Sequence, residues 1–285
     1  MSARPAISVL HHGGLAAEIA PDLGGTVLSL AIGGKDVLRR GAREAVAADP
    51  RAAASFPCLP WFGRLFGGLT FGESRWDVAP TLPACDPRHP LHGEAWTRPW
   101  AVTAHTDVFL ECRFASDGVQ EGRFPFAYEA RQIAQIAEGA FGLALILRNS
   151  GAAPMPAGLG LHPYFPRRAE TALAFAAGGL WTPAPEGGGA ESAIPPELDF
   201  AQGAPLPARA IDHSFTGFQG RIEIRQPDMT VRLAADAPIL HVYAPAGADF
   251  FCLEPVTHLP GAFGSDVLAP KEQMRLSLNI AAEPR

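Results

Sequence analysis

In "FFCLEPVTHLPGAF" (250–263), Glu254 follows two phenylalanines, a cysteine and a leucine and precedes a proline. Glutamate is rarely buried without a partner. A carboxylate taken out of water at the end of an apolar strand rises in pKa toward the range of a general base. A structural salt bridge, with Arg64 as its partner, is the alternative. Complementary chemistry comes from "GLGLHPYFPRR" (158–168), where Pro163 keeps His162 out of helical geometry and leaves it extended beside Tyr164 and Phe165. His162 is either a buried ring satisfied by a backbone carbonyl or a proton donor facing a pocket.

Three further stretches place polar groups in aromatic or glycine-rich settings. In "FPCLPWFGRLFGG" (56–68), Arg64 needs carboxylate or polyol oxygens for its five donors, as a structural ion pair with its stem on Trp61 or as a ligand residue. In "HPLHGEAW" (89–96), His89 and His92 are three residues apart, a metal-binding spacing only on a helix. Pro90 and Gly93 argue for a loop, which leaves His92 as a packed histidine or a hydrogen-bonding ligand residue. In "AIDHSFTGFQG" (210–220), Asp212 beside His213 and two phenylalanines is a turn aspartate or a ligand residue.

The elements that must position these groups are strands. Glycine (30) and proline (28) fall between short segments, which favours turns over long helices. "RIEIR" (221–225) and "MTVRL" (229–233) alternate around "QPD" as a hairpin, and "RLSLNI" (275–280) alternates again. "FGLALILRN" (141–149) is a continuous apolar run, fit for a strand covered on both sides. "LAAEIAP" and "TVLSLAI" flank "DLGG" as strand, turn, strand. Helical signal is confined to short turns in "GAREAVAADPRAAASF" (41–56), interrupted by Pro50. The Pro- and Gly-rich segment 183–210 is a linker or a long excursion within a β domain; like strands on both sides favour a single domain, 1–285. The expected fold is all-β, a large antiparallel sandwich or barrel.

Composition narrows the function classes. Hydrophobic residues make up 47% and charged ones 18%, so a substantial core is available. Net charge is −6 with no basic stripe, which argues against nucleic acid and anionic membranes as partners. Cys58, Cys85, Cys112 and Cys252 stand far apart and read as reduced thiols. "MSARPAISVL" lacks a signal-peptide core and no run is long enough to span a membrane, so a cytoplasmic location is expected.

In order, the motifs F-P-x-x-P-x-x-x-R, L-H-G, G-L-H-P-Y-F, D-H-x-F and L-E-P resemble the aldose 1-epimerase (galactose mutarotase) family, from "DLGGTVLSL" to "QMRLSLNI". "RFPFAYEARQ" (123–132) adds to the likeness. The resemblance implies a galactose mutarotase-like β-sandwich and anomer exchange of a sugar without cofactor or metal, by a monomer or homodimer. Carried over by position, His162 becomes the general acid and Glu254 the general base. Arg64, His92 and Asp212 become substrate-binding residues. Two departures stand out: Gly63 precedes the arginine where family members often have asparagine, and His241 in "ILHVYAP" is nearest to a substrate-holding glutamine.

Anomer exchange needs the C1 hydroxyl to lose a proton while the ring oxygen gains one, tasks suited to a carboxylate and an imidazolium. Proximity is expected to lower the Glu254 pKa, raise that of His162 and couple their titration. Trp61, Tyr164 or Phe165 is expected to stack on the sugar. A sugar-phosphate mutarotase, with Arg98, Arg167 and Arg168 as the phosphate clamp, is the main alternative. A non-catalytic carbohydrate-binding protein and a glycosidase using Asp212 and Glu254 are others.

Overall fold

Two large antiparallel sheets dominate the structure, a computed structural model that describes residues 7–184 and 187–285. The first six residues, which begin the stretch read for a leader, and residues 185–186 of the Pro/Gly-rich excursion lie outside the described residues. A nine-stranded sheet runs in the order Ala204–Pro205, Ala172–Phe175, Arg221–Gln226, Met229–Ala235, Gln273–Pro284, Ala140–Asn149, Tyr128–Ala137, Phe109–Ser116, Ala101–Thr106. The predicted hairpin is there, Arg221–Gln226 pairing with Met229–Ala235. Ala140–Asn149 lies inside this sheet, and Phe141 to Leu145 are all buried, as its unbroken apolar run requires.

The second sheet carries Asp212 and Glu254 and the segments on either side of His162. Its order is Gly189–Ser192, Gly179–Pro183, Ile211–Thr216, Ile239–Ala244, Phe250–Val256, Gly160–Leu161, Pro57–Cys58, with Tyr164–Pro166 also pairing with Phe250–Val256. Strand alternation sorts its residues by face. Leu161, Phe215, Leu240, Val242, Phe251 and Leu253 point toward the nine-stranded sheet and join one contiguous core with Leu145, Ile224, Leu276 and Leu278. Phe215 meets Phe175 of the other sheet edge-on at 5.0 Å. The opposite face contributes Cys58, Tyr164, Ile239, Cys252 and Val256 to a smaller cluster with Phe56, Phe62 and Trp96.

A four-stranded sheet, Ser8–His12, Leu15–Ala20, Thr26–Ile32 and Lys35–Asp36, contains the predicted strands on either side of "DLGG". Helix is limited to short pieces such as Arg43–Ala48 and the 3₁₀ turn Pro50–Ala52, where the alanine-rich stretch placed them. The 183–210 excursion is no free linker: it pairs Gly189–Ser192 with one large sheet and Ala204–Pro205 with the other. Among the described residues no helix is long and apolar enough to cross a membrane. All four cysteines are free thiols.

The two-face assignment makes Phe215 a tie between the sheets. Phe215→Ala is expected to lower the unfolding free energy by about 3–5 kcal/mol in urea denaturation. A loss below about 1 kcal/mol would remove Phe215 from the inter-sheet contact.

Candidate active site

Cross-strand register builds the site. Gly160 pairs with Val256 and Tyr164 with Cys252, so the same register sets His162 opposite Glu254 across the proline-interrupted strand pair. Glu254 in turn pairs with His241, and His241 with Ser214. His162, Glu254, His241 and Ser214 thus form a polar row across four neighbouring segments, on the face away from the inter-sheet core. A second row, two residues along, holds Tyr164, Cys252, Tyr243 and Asp212. Side chains directly opposite on one face sit about 4.5–5.5 Å apart at Cβ, close enough for their polar ends to meet.

They do meet. His162 Nε2 lies 3.3 Å from Glu254 Oε1, with the residues 6% and 1% exposed. Neither Glu254 oxygen has a hydrogen-bond partner, so the contact is an approach rather than an aligned bond. The His162 ring is stacked on Tyr164 at 4.7 Å and tilted over Phe56 at 4.5 Å, and its Nδ1 has no partner. Nε2 is therefore the nitrogen that faces the carboxylate. Burial pushes Glu254 well above the usual carboxylate range, reinforced by the Asp212 charge. Burial, with His92 and His241 nearby, pushes His162 well below its ordinary value. The expectation that proximity would lower Glu254 and raise His162 is thus reversed, because desolvation of both groups outweighs their attraction. The proposed salt bridge between Glu254 and Arg64 is also absent among the described contacts: Arg64 Nε donates to Asp86 Oδ2 at 2.7 Å.

A cavity of about 260 Å³ opens over this row, lined by Phe62, Arg64, His92, His162, Asp212, His241, Tyr243 and Glu254 among others. All five residues singled out from sequence reach it. His92 has a left-handed backbone, φ +57°, as does Gly93 at +73°. A Cβ on Gly93 would fall 1.8 Å from the Leu59 carbonyl oxygen, so only glycine fits there and the L-H-G turn is fixed. Backbone N–H of Gly63 donates to His92 Nδ1 at 3.2 Å, which leaves the proton on Nε2. Burial, the His241 ring and Arg64 hold the His92 pKa at about 3, so it is a neutral donor. His92 and His89 do not converge; His89 Nδ1 lies 3.3 Å from Asp86 instead. Asp212 is in the strand Ile211–Thr216, not a turn, and contacts His241 Nε2 at 3.1 Å. That hydrogen bond holds Asp212 below the usual carboxylate range.

Other expectations fail. Trp61 is fully buried against Phe124 and Phe263, and Phe165 packs on Phe251 in the inter-sheet core. Of the three suggested stacking rings only Tyr164 lines the cavity, with Phe62 and Phe66. Arg167 donates to the Leu206 and Pro207 carbonyls, Arg168 pairs with Asp228, and Arg98 pairs with Glu94 over the Phe114 ring. None of these arginines lines the cavity, so they form no phosphate clamp there. Asp86 and Tyr243 escaped sequence reading, Asp86 because a loop aspartate carries no periodicity. His241 was reached only through the family resemblance, as the residue nearest to a substrate-holding glutamine.

Comparison with known proteins gives the family. The sequence profile described as aldose 1-epimerase matches residues 5–281. The chain belongs to the aldose 1-epimerase family. It is 29% identical to the uncharacterised protein YphB of Escherichia coli K12, over 97% of this chain and 99% of that one. A crystal structure of a proposed aldose 1-epimerase from E. coli K12 superposes with a TM-score of 0.85 at 28% identity, covering 98% and 99% of the two chains. An aldose epimerase homologue from C. elegans shares the fold, with a TM-score of 0.83 at 16% identity and 98% of each chain covered. Within this family fold, the Gly63 departure has a local cause: at φ +73° a Cβ would press on Pro260 at 3.3 Å.

Behind the cavity wall, His258 Nε2 accepts from the Phe62 N–H at 2.8 Å, and its Nδ1 is 3.0 Å from the Leu259 carbonyl. Burial lowers its pKa to about 4. The unfolded chain binds protons on this group below about pH 6.5 while the folded chain does not, so stability falls as pH drops from about 6.5 toward about 4, by up to about 1.4 kcal/mol per pH unit. In denaturation measured across that range, His258→Gln is expected to flatten the slope while keeping an acceptor for Phe62. An unchanged slope would show that His258 is protonated in the fold.

Proposed function

We propose that this protein is a cofactor-independent aldose 1-epimerase that interconverts the α and β anomers of a hexose or related aldose, the chain acting as one domain. The observation that carries the reading is the buried 3.3 Å approach of His162 Nε2 to Glu254 Oε1 at the floor of a cavity sized for one monosaccharide. Glu254 takes the O1 proton, the O1 electrons form the C1=O bond, and the C1–ring-oxygen bond breaks as His162 Nε2 delivers a proton to the ring oxygen. The open aldehyde rotates about C1–C2, and the reverse transfers close the ring on its other face.

Burial shapes this chemistry rather than preventing it. Carboxylic acid with neutral imidazole and carboxylate with imidazolium contain the same number of protons. Burial favours the first arrangement, as the opposed shifts of the two groups indicate. Sugar hydroxyls supply the donors that both Glu254 oxygens lack, which favours the second. His92 Nε2–H donates to a sugar oxygen without adding charge. Asp212, braced by His241, accepts from a hydroxyl, and Arg64, held by Asp86, offers its remaining N–H groups. Phe62 and Phe66, which line the cavity, cover the apolar face. Arg98, Arg167 and Arg168 are engaged elsewhere, and the two arginines that line the cavity, Arg51 and Arg64, are paired with Asp49 and Asp86, so a neutral aldose is the favoured substrate.

In polarimetry or saturation-transfer NMR on freshly dissolved sugars, Glu254→Gln and His162→Ala are each expected to lower kcat about a hundred- to ten-thousand-fold. The double variant is expected to lose little more than the worse single, since the two act as a unit. Equal rates in wild type and both single variants would sink the mechanism. Faster exchange of hexose 6-phosphates than of the parent hexoses would overturn the substrate class.

A further inference from the structure

Cys252 has no part in the proposed chemistry, yet it lies on the same strand face as Glu254, two residues before it and opposite Tyr164. One ligand atom each from His162, Cys252 and Glu254 all lie within 4.8 Å of one another. We propose that these three side chains form a binding site for a soft divalent cation of the zinc class, whose occupation blocks the acid/base pair.

The donor set is an imidazole nitrogen, a thiol sulfur and a carboxylate oxygen, the three ligand types that zinc takes in tetrahedral sites. Zinc–ligand bonds of about 2.0–2.3 Å put tetrahedral ligand atoms about 3.3–3.8 Å apart. The Nε2–Oε1 separation of 3.3 Å already meets that, and with all three ligand atoms within 4.8 Å only a small contraction is needed. Both Glu254 oxygens are buried without a hydrogen-bond partner, an unmet demand that a cation answers directly. Charge balances as well: binding sends the thiol and carboxyl protons to solvent, and thiolate, carboxylate and neutral imidazole then offset the two positive charges. A three-ligand set leaves the fourth position for water. Glu254 and His162 line the cavity, so the ion has the sugar's own route in. Cation binding stands on the geometry alone; only its inhibitory effect rests on the epimerase reading.

The test titrates the full chain with Co²⁺ alone and with Zn²⁺ alone. One equivalent of Co²⁺ is expected to give a thiolate-to-cobalt charge-transfer band that Zn²⁺ abolishes. Cys252→Ala should lose the band and weaken Zn²⁺ binding at least about tenfold, as loss of a ligand must. Cys58→Ala, which removes the other buried thiol on this face, should keep both. X-ray absorption on the wild-type zinc complex, independent of any variant, should show one sulfur in the coordination shell. Zn²⁺ should slow anomer exchange by wild type, while Cys252→Ala stays active and resists. A sulfur-free shell, no cobalt band, or a band lost in Cys58→Ala and kept in Cys252→Ala would overturn the site. Zinc binding with one sulfur in a protein without epimerase activity would leave the site standing and remove the proposed function.

Discussion

The polar row at the cavity depends on one strand register. With Gly160 held opposite Val256 and Tyr164 opposite Cys252, His162 has no place except against Glu254. The pairing of Glu254 with His241 then carries the polar row on to Ser214. A slip of one residue anywhere in Phe250–Val256 would turn Glu254 into the inter-sheet core and Leu253 into the cavity. That core prevents the slip. Leu253, Phe251 and Leu240 are fully buried among the side chains of the nine-stranded sheet, and moving them to the cavity face would expose them. The hydrophobic face of the sheet thus fixes the geometry of its polar face.

The row is costly to hold, and its supports show how the cost is contained. Ser214 Oγ sits 2.8 Å from His241 Nδ1, and Asp212 meets the other ring nitrogen, so His241 is fixed in orientation from both sides. Asp86 gathers Arg64, His89 and two backbone N–H groups, and although burial opposes it, these hold the carboxylate well below its ordinary range. Glu254 and His162 are the groups left without such partners. Of the described residues lining the cavity these two alone carry buried polar atoms without a hydrogen-bond partner, a demand that a polyhydroxylated ligand would relieve.

Much of this was legible in the sequence, for reasons that differ by residue. The alternation in "RIEIR", "MTVRL" and "RLSLNI" maps directly onto strands because one face of each is buried. Glu254 stood out because a carboxylate does not sit in "FFCLEP" without cause, whereas "GLGLHPYF" by itself favoured packing for His162, and the order of the motifs along the chain is what joined the two. The direction of their pKa shifts did not follow, since burial depth is a property of the folded cavity and not of neighbouring letters. The arginines after "HPYFP" misled because the strand Tyr164–Pro166 ends before them: Arg167 turns to the Pro207 carbonyl and Arg168 to Asp228, away from the cavity. Asp86 and Ser214 were invisible, since both act through partners 22 and 27 residues away.

The most direct measurement is a crystal structure of the wild-type protein with a bound aldose. The proposed geometry requires the O1 hydroxyl within hydrogen-bond distance of a Glu254 oxygen and the ring oxygen within reach of His162 Nε2, with His92 and Asp212 on other hydroxyls. A sugar seated with C1 turned away from the His162–Glu254 pair would contradict it.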